Sequence, residues 1–146
     1  FNDTPGSMAR ASVTNASSVV RMITGKNLSD YDVHVNVVGG GNIDGPSAGA
    51  AITCAIISAL TGKPLRQDIA VTGEISLSGR IKPVGGIAEK AFGAHQGGMK
   101  AILIPKQNAP DMGSEYMHMK VIPVDTIQDI LEHMLVRKKQ KMKGSK

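Results

Sequence analysis

Aromatic side chains are nearly missing from this chain, whose 146 residues contain two Phe, two Tyr and no Trp. A core must therefore come from Ile, Val, Leu, Ala and Met. Base-stacking platforms for nucleic acid have almost no material to be built from. Cysteine occurs once, at Cys54, so no internal disulfide can form and a reducing, cytoplasmic setting is expected. Cys54 lies inside an apolar segment and reads as a small buried hydrophobe. No run approaches the ~20 apolar residues of a transmembrane helix, and no segment has the layout of a signal peptide.

Charge of one sign is scarce everywhere except at the end. The formal net charge is +5, yet the ten residues from Arg137 to Lys146 hold six cations and no acid. Without them the body carries 11 cations against 12 acids. The basic character belongs to a tail, residues 137–146, and the folded unit is expected over residues 1–136. A solvated basic end with no aromatic or RNA-motif residues beside it makes nucleic acid an unfavoured partner.

Glycine is plentiful, at 17 residues, and it concentrates where the sequence is most informative. Gly39-Gly40-Gly41-Asn42-Ile43-Asp44-Gly45-Pro46-Ser47-Ala48-Gly49 joins a β-branched run, Val33 to Val38, to a small and apolar run, Ala48 to Leu60. The pattern predicts strand, loop and buried helix, with Ser47 in the helix's first turn. Backbone N–H groups there lack intrahelical partners and lie at the positive end of the macrodipole. A serine oxygen in that place can be a nucleophile beside an oxyanion site, a phosphate ligand, or a helix cap.

Phosphate binding fits poorly. Gly40 to Ser47 has the spacing of a P-loop, but Pro46 stands where the phosphate-reaching lysine belongs and removes a backbone N–H. Gly45-Pro46-Ser47-Ala48-Gly49 also matches the G-x-S-x-G elbow of α/β-hydrolases, but a long loop separates Ser47 from the preceding strand. His95, His118 and His133 are available downstream as partners for an esterase triad, without a distinctive setting. A third reading uses a neutral lysine as base, which requires its ordinary pKa of about 10.4 to be lowered by burial or a positive dipole. Lys90 has the best placement for this, early in a helix that starts after Gly85-Gly86. Lys63, Lys82, Lys100 and Lys106 lie in or beside turns.

The remaining elements follow from periodicity. Helices are expected over Ser7–Thr24, stopped by Gly25, over Ile87 to about Gln96, and after Asp125 as the cap of a last helix. That helix has Ile127, Ile130, Leu131, Met134 and Leu135 as its apolar stripe. Strands are expected at Ile69 to Thr72, in a hairpin around Ser78-Gly79, at Ala101 to Ile104 and at Val121 to Val124. The class is α+β or α/β, with a mixed sheet and packed helices.

Four ordered blocks now carry a resemblance. They are Asp44-Gly45-Pro46-Ser47-Ala48-Gly49, Val71-Thr72-Gly73-Glu74-Ile75, Gly85-Gly86-Ile87-Ala88-Glu89-Lys90, and His95 with Ile104-Pro105. In order and separation they resemble the proteolytic domain of Lon proteases over about residues 7 to 135. The resemblance implies an α+β fold of the ribosomal protein S5 domain 2-like kind, with its first strands before residue 1. It also implies a serine endopeptidase with a Ser-Lys dyad, Ser47 as nucleophile and Lys90 as general base. Thr72 would hold the lysine, Glu74 would be an acid near the site, and Asp44 would cover or contact the dyad in a closed state. Backbone N–H groups at Ser47 and Ala48 would form the oxyanion hole.

Further implications are unfolded or damaged protein substrates, a hexameric ring, no metal, and ATP with magnesium only in an ATPase module outside this chain. The chain departs from the common family pattern at Val38 to Ile43, at His34-Val35-Asn36 and at Ala88-Glu89-Lys90. It therefore resembles a divergent branch, with its own loop shape and substrate preference. The alternatives are a Lon-like assembly or binding domain that does not cut, and a His-dependent esterase.

Overall fold

In the computed structural model the described residues are 7–34 and 46–136, with side chains from residue 14 onward except that of Pro46. Four helices and six strands are present among them: α1 (Ser7–Thr24), α2 (Gly49–Thr61), β1 (Ile69–Val71), β2 (Glu74–Ile75), β3 (Ile81–Lys82), α3 (Ile87–Gln96), β4 (Ala101–Pro105), β5 (Glu115–Tyr116), β6 (Met119–Val124) and α4 (Ile127–Met134). Short 3₁₀ turns occupy Leu28–Asp30, Pro46–Ala48 and Lys106–Asp111. The mixed α+β architecture agrees with the expectation. The expected strand at Val33 to Val38 falls mostly on residues 35–45, outside the described residues, and Val33 and His34 are not in a strand.

The main sheet has the order β1-β4-β6-β5. β1 and β6 flank β4 in parallel, and β5 returns antiparallel on β6. All five residues of β4 are buried, because helices cover both faces of the sheet. Side chains alternate along a strand, and β4 shows the division. Ala101 and Leu103 join the cluster formed with α1, α2 and α4, including Val19, Val20, Ile57 and Ile130. Ile102 and Ile104 join the opposite cluster with Ile87 and Ala91 of α3.

Helix ends follow local chemistry. Gly25 and Gly62 adopt left-handed backbone at φ +75° and +69° and close α1 and α2. The Gly62 N–H donates to the Ser58 carbonyl. α4 corrects the expected cap: Thr126, not Asp125, is the N-cap, and its side chain accepts from the Asp129 N–H. The Asp129 carboxylate in turn accepts from the N–H groups of Asp125 and Thr126 at 2.9 and 3.1 Å, a capping box shifted by one residue. Asp125 turns outward to pair with Arg80 at 3.1 Å.

The expected hairpin is present but short, pairing Glu74 with Lys82 and Ile75 with Ile81. Gly79 sits at its tip at φ +86°. β5 escaped the sequence reading, since a two-residue strand offers no alternation to detect. Cys54 is buried in α2, and that burial pushes its thiol pKa up to about 12, which makes it an inert core group.

Candidate active site

Ser47 does not lie within α2 itself. It occupies the 3₁₀ turn Pro46–Ala48 that leads into the helix, so the expected first-turn placement is displaced by one element. Ala48 is the N-cap of α2, and no side chain caps the helix there. The helix-cap role for the Ser47 hydroxyl is therefore not realised.

The turn is held from below by main chain. The Gly73 N–H donates to the Ser47 carbonyl at 3.0 Å, and the Ala50 N–H donates to the Gly73 carbonyl at 3.0 Å. One first-turn donor of α2 is thereby satisfied without a side chain. Ile81 on the hairpin leaves room there only for glycine: a Cβ on Gly73 would lie 2.5 Å from Ile81 Cγ2, though at an ordinary 3.6 Å from Ala50 Cβ. This is the position that residue-by-residue reading left unassigned. The signal for it was the glycine inside an otherwise strand-like V-T-G-E-I run, a mark of close backbone approach.

Thr72 is buried directly after β1, and its N–H donates to the Leu103 carbonyl of β4 at 3.1 Å. Glu74 heads β2 and faces Lys82 across the hairpin at 3.6 Å. Asp44 lies outside the described residues.

Lys90 stands in the first turns of α3, half-buried, behind a Gly85-Gly86 corner in which Gly86 adopts φ +67°. Its Nζ donates to the Gly85 carbonyl at 2.6 Å, and its own N–H donates to the Gly86 carbonyl at 3.0 Å. Among the described residues no hydrogen bond joins Lys90 to Ser47 or to Thr72.

The two turns nevertheless arrive at the same edge of the sheet. Gly73, which holds the Ser47 turn, lies two residues past the C-terminal end of β1. Val84, just before the Lys90 corner, is bonded to Asn108, three residues past the C-terminal end of the parallel neighbour β4. A Cβ on Gly73 would lie 3.7 Å from Pro105, the last residue of β4. Sites collect outside the C-terminal ends of parallel strands because the chain reverses there and helix starts converge. This edge thus gathers a hydroxyl at a helix entry, an amine and a set of backbone donors, the parts an acyl transfer needs.

The histidines have other surroundings. His95 packs edge-on against Tyr116 with ring centroids 6.1 Å apart. His133 lies in the last turn of α4, and His118 occupies the β5–β6 turn at φ +72°. Among the described residues no group of three or more His, Cys, Asp or Glu could hold a metal ion, and no helix is long and apolar enough to cross a membrane.

Comparison with known proteins adds a second line of observation. Residues 5–137 match the family model described as Lon protease (S16) C-terminal proteolytic domain. The chain is similar to the archaeal Lon protease of Archaeoglobus fulgidus, with 40% identity over 138 residues, covering 92% of the chain and 22% of that protein. It is similar to Lon protease 2 of Bacillus subtilis, with 43% identity over 130 residues, covering 89% and 23%. Similarity to the Lon protease of Azospirillum brasilense reaches 48% over 111 residues, covering 73% and 14%. The chain spans less than a quarter of the length of each of these relatives.

Proposed function

The chain belongs to the Lon protease C-terminal proteolytic domain family, and from that premise we propose that it is the serine endopeptidase domain of an ATP-dependent Lon-type protease. The observation that supports the assignment is that the Ser47 turn and the Lys90 corner are each tied to residues just past the C-terminal ends of β1 and β4. Ser47 Oγ attacks the scissile carbonyl while the Lys90 amine takes its proton. The tetrahedral oxyanion is held by backbone N–H groups at Ser47 and Ala48, at the positive end of the α2 dipole. Collapse returns the proton to the leaving amine and leaves an acyl-enzyme. Water, deprotonated by Lys90, then releases the acid.

The hydrogen bond from Lys90 Nζ to Gly85 has a use in this scheme. A free amine has two N–H groups and one lone pair, so fixing one N–H on a carbonyl restricts where the lone pair points. General-base assistance of this kind supplies about 10²–10⁴-fold. Thr72 steadies the lysine in the working site. Glu74 acts near the site while paired with Lys82, and Asp44 covers the dyad when the site closes.

The substrates are unfolded or damaged proteins, whose extended segments can reach a sheet edge. The full-length assembly is a hexameric ring in the cytoplasm. Nucleotide chemistry does not fit the residues of this chain, because Pro46 replaces the P-loop lysine and withholds an N–H. ATP and magnesium belong to a module outside it, and no step here runs through them.

The test is hydrolysis of an unstructured fluorogenic peptide from about pH 6 to pH 10, comparing this chain with Ser47→Ala and Lys90→Ala. Loss in both variants, with a parent rate that climbs through a single titration, supports the dyad. Retained cleavage in Lys90→Ala together with loss in His95→Ala or His133→Ala would identify a His-dependent esterase instead. The same assay on a longer chain that includes upstream sequence covers a site that needs its neighbours to open, and silence there rejects peptidase activity.

A further inference from the structure

Asn108 is a buried polar side chain, 7% exposed, in the 3₁₀ turn that follows β4. Its amide grips one residue twice. The Val84 N–H donates to Asn108 Oδ1 at 2.9 Å, and Asn108 Nδ2 donates to the Val84 carbonyl at 3.0 Å. In this way a single side chain does for Val84 what a neighbouring strand would do, satisfying both main-chain groups at a place where no strand is available.

The gripped residue is the root of the Lys90 corner. Between the end of β3 at Lys82 and the start of α3 at Ile87 the chain runs Pro83-Val84-Gly85-Gly86. Pro83 has no N–H. Gly85 has open space where a Cβ would sit, and Gly86 occupies left-handed backbone. Two consecutive glycines form a swivel with little intrinsic preference. Among the described residues, the hydrogen bonds that reach residues 83–86 come from Lys90 itself, onto Gly85 and Gly86, or from Asn108 onto Val84. The Gly85 carbonyl that accepts from Lys90 Nζ is one residue beyond the clamped Val84 carbonyl. Its direction is therefore set on one side by Asn108 and on the other by the buried Ile87.

We propose that Asn108 is a positioning residue for Lys90: by clamping Val84 to the end of β4 it fixes the Gly85 carbonyl, and through it the aim of the lysine amine toward the Ser47 turn. The proposal deepens the peptidase reading and rests on Lys90 being its general base. Asn108 acts through the main chain and touches neither substrate nor reacting atoms, so its loss should spare binding and damage turnover.

The experiment compares the full chain with Asn108→Ala, which removes both bonds, and with Asn108→Asp. The aspartate keeps the size and the acceptor for the Val84 N–H but sets a carboxylate against the Val84 carbonyl. Three readouts are taken on each: peptide hydrolysis kinetics across pH, thermal unfolding, and the rate at which an amine-acylating reagent labels Lys90 relative to the exposed Lys100, followed by peptide mass mapping. The expected result for Asn108→Ala is kcat lower by about 10- to 100-fold, the scale of an ångström-level misplacement, with KM within about twofold. The midpoint of the pH–rate profile moves, and relative labelling of Lys90 changes several-fold. Asn108→Asp shows the same pattern to a smaller degree.

Unchanged kcat and unchanged Lys90 labelling in a folded variant overturn the proposal. So does a loss of activity that merely tracks the unfolded fraction, or failure of both variants to fold, since each makes Asn108 a stability residue only. Should cleavage by the parent chain survive Lys90→Ala, the general-base reading is the one that fails. The labelling ratio, which needs no catalysis, then decides the Asn108 clamp alone.

Discussion

The two turns tied to the C-terminal edge of the sheet are held in opposite ways. The Ser47 turn is fixed by main chain on both sides of Gly73, a residue at which Ile81 leaves no room for a Cβ. The Lys90 corner is fixed by the side chain of Asn108, across a glycine pair with open space around Gly85. Backbone-to-backbone anchoring belongs to the packed core, so a change there disturbs stability and activity together. A side-chain clamp on a glycine corner can be removed with little loss of apolar burial. In the proposed dyad the serine is thus built into the fold, while the lysine is attached to it.

The strongest test of this contrast removes the reacting groups themselves. Ser47→Ala should lower peptide hydrolysis by at least about 10⁴-fold and Lys90→Ala by at least about 10²-fold, neither changing the unfolding midpoint. A Lys90→Ala chain that retains a tenth of the parent rate would break the pairing of the two halves. Steady-state kinetics beside calorimetry suffices to read both.

Next comes Gly73→Ala. The new methyl meets Ile81 Cγ2 at 2.5 Å, on a buried β-branched side chain. Overpacking of this kind costs about 1–3 kcal/mol. Denaturant unfolding should show that loss together with a fall in kcat, as the Ser47 turn is pushed off its Gly73 bonds. If hydrolysis falls while stability holds, the nucleophile half is no more built-in than the base half.

A third, smaller effect comes from the start of α4, which among the described residues makes no hydrogen bond to the Ser47 turn or the Lys90 corner. Thr126→Ala removes the acceptor of the Asp129 N–H at the start of α4. It should cost about 1 kcal/mol, a Tm decrease of about 2–4 °C for a domain of this size, with kcat of the folded fraction unchanged. This variant calibrates what pure destabilisation does to the assay.

The smallest effect is one of pH. The Asp125 N–H chiefly, then the Thr126 N–H and hydroxyl, hold the Asp129 carboxyl below its ordinary value of 3.8 despite some desolvation. A lowered folded pKa means that the stabilising contribution is fully present above the unfolded value and is lost as pH falls through that value toward the folded one. The stability advantage over Asp129→Asn should therefore be constant near neutrality and shrink below about pH 4. An advantage that grew on acidification would contradict the capping box as the cause.

Much of this architecture was legible before any coordinates. α1 and α3 fall on their expected bounds because glycines with left-handed backbone, Gly25 and Gly86, mark where each ends or begins. β4 was visible as an apolar run ending at a proline. The Thr126 cap was missed because aspartate ranks above threonine as an isolated cap, although Thr126-Ile127-Gln128-Asp129 has the spacing of a capping box. The reciprocal bonds of Thr126 and Asp129 make the cap, while Asp125 pairs with Arg80, 45 residues earlier in the chain. Ser47 and Lys90 stood out through motif and resemblance. Gly73 and Asn108 did not, because their partners, Ser47 and Val84, lie 26 and 24 residues away.

The sequence by itself determined the element types, the residues with chemistry to offer, and the family, since these rest on local propensity, periodicity and ordered blocks. Only the tertiary structure decided what holds those residues. The parallel pairing of β1 with β4 brings two distant turns to one edge. Clamps that span more than twenty residues are made of distances, and a linear pattern carries no distances.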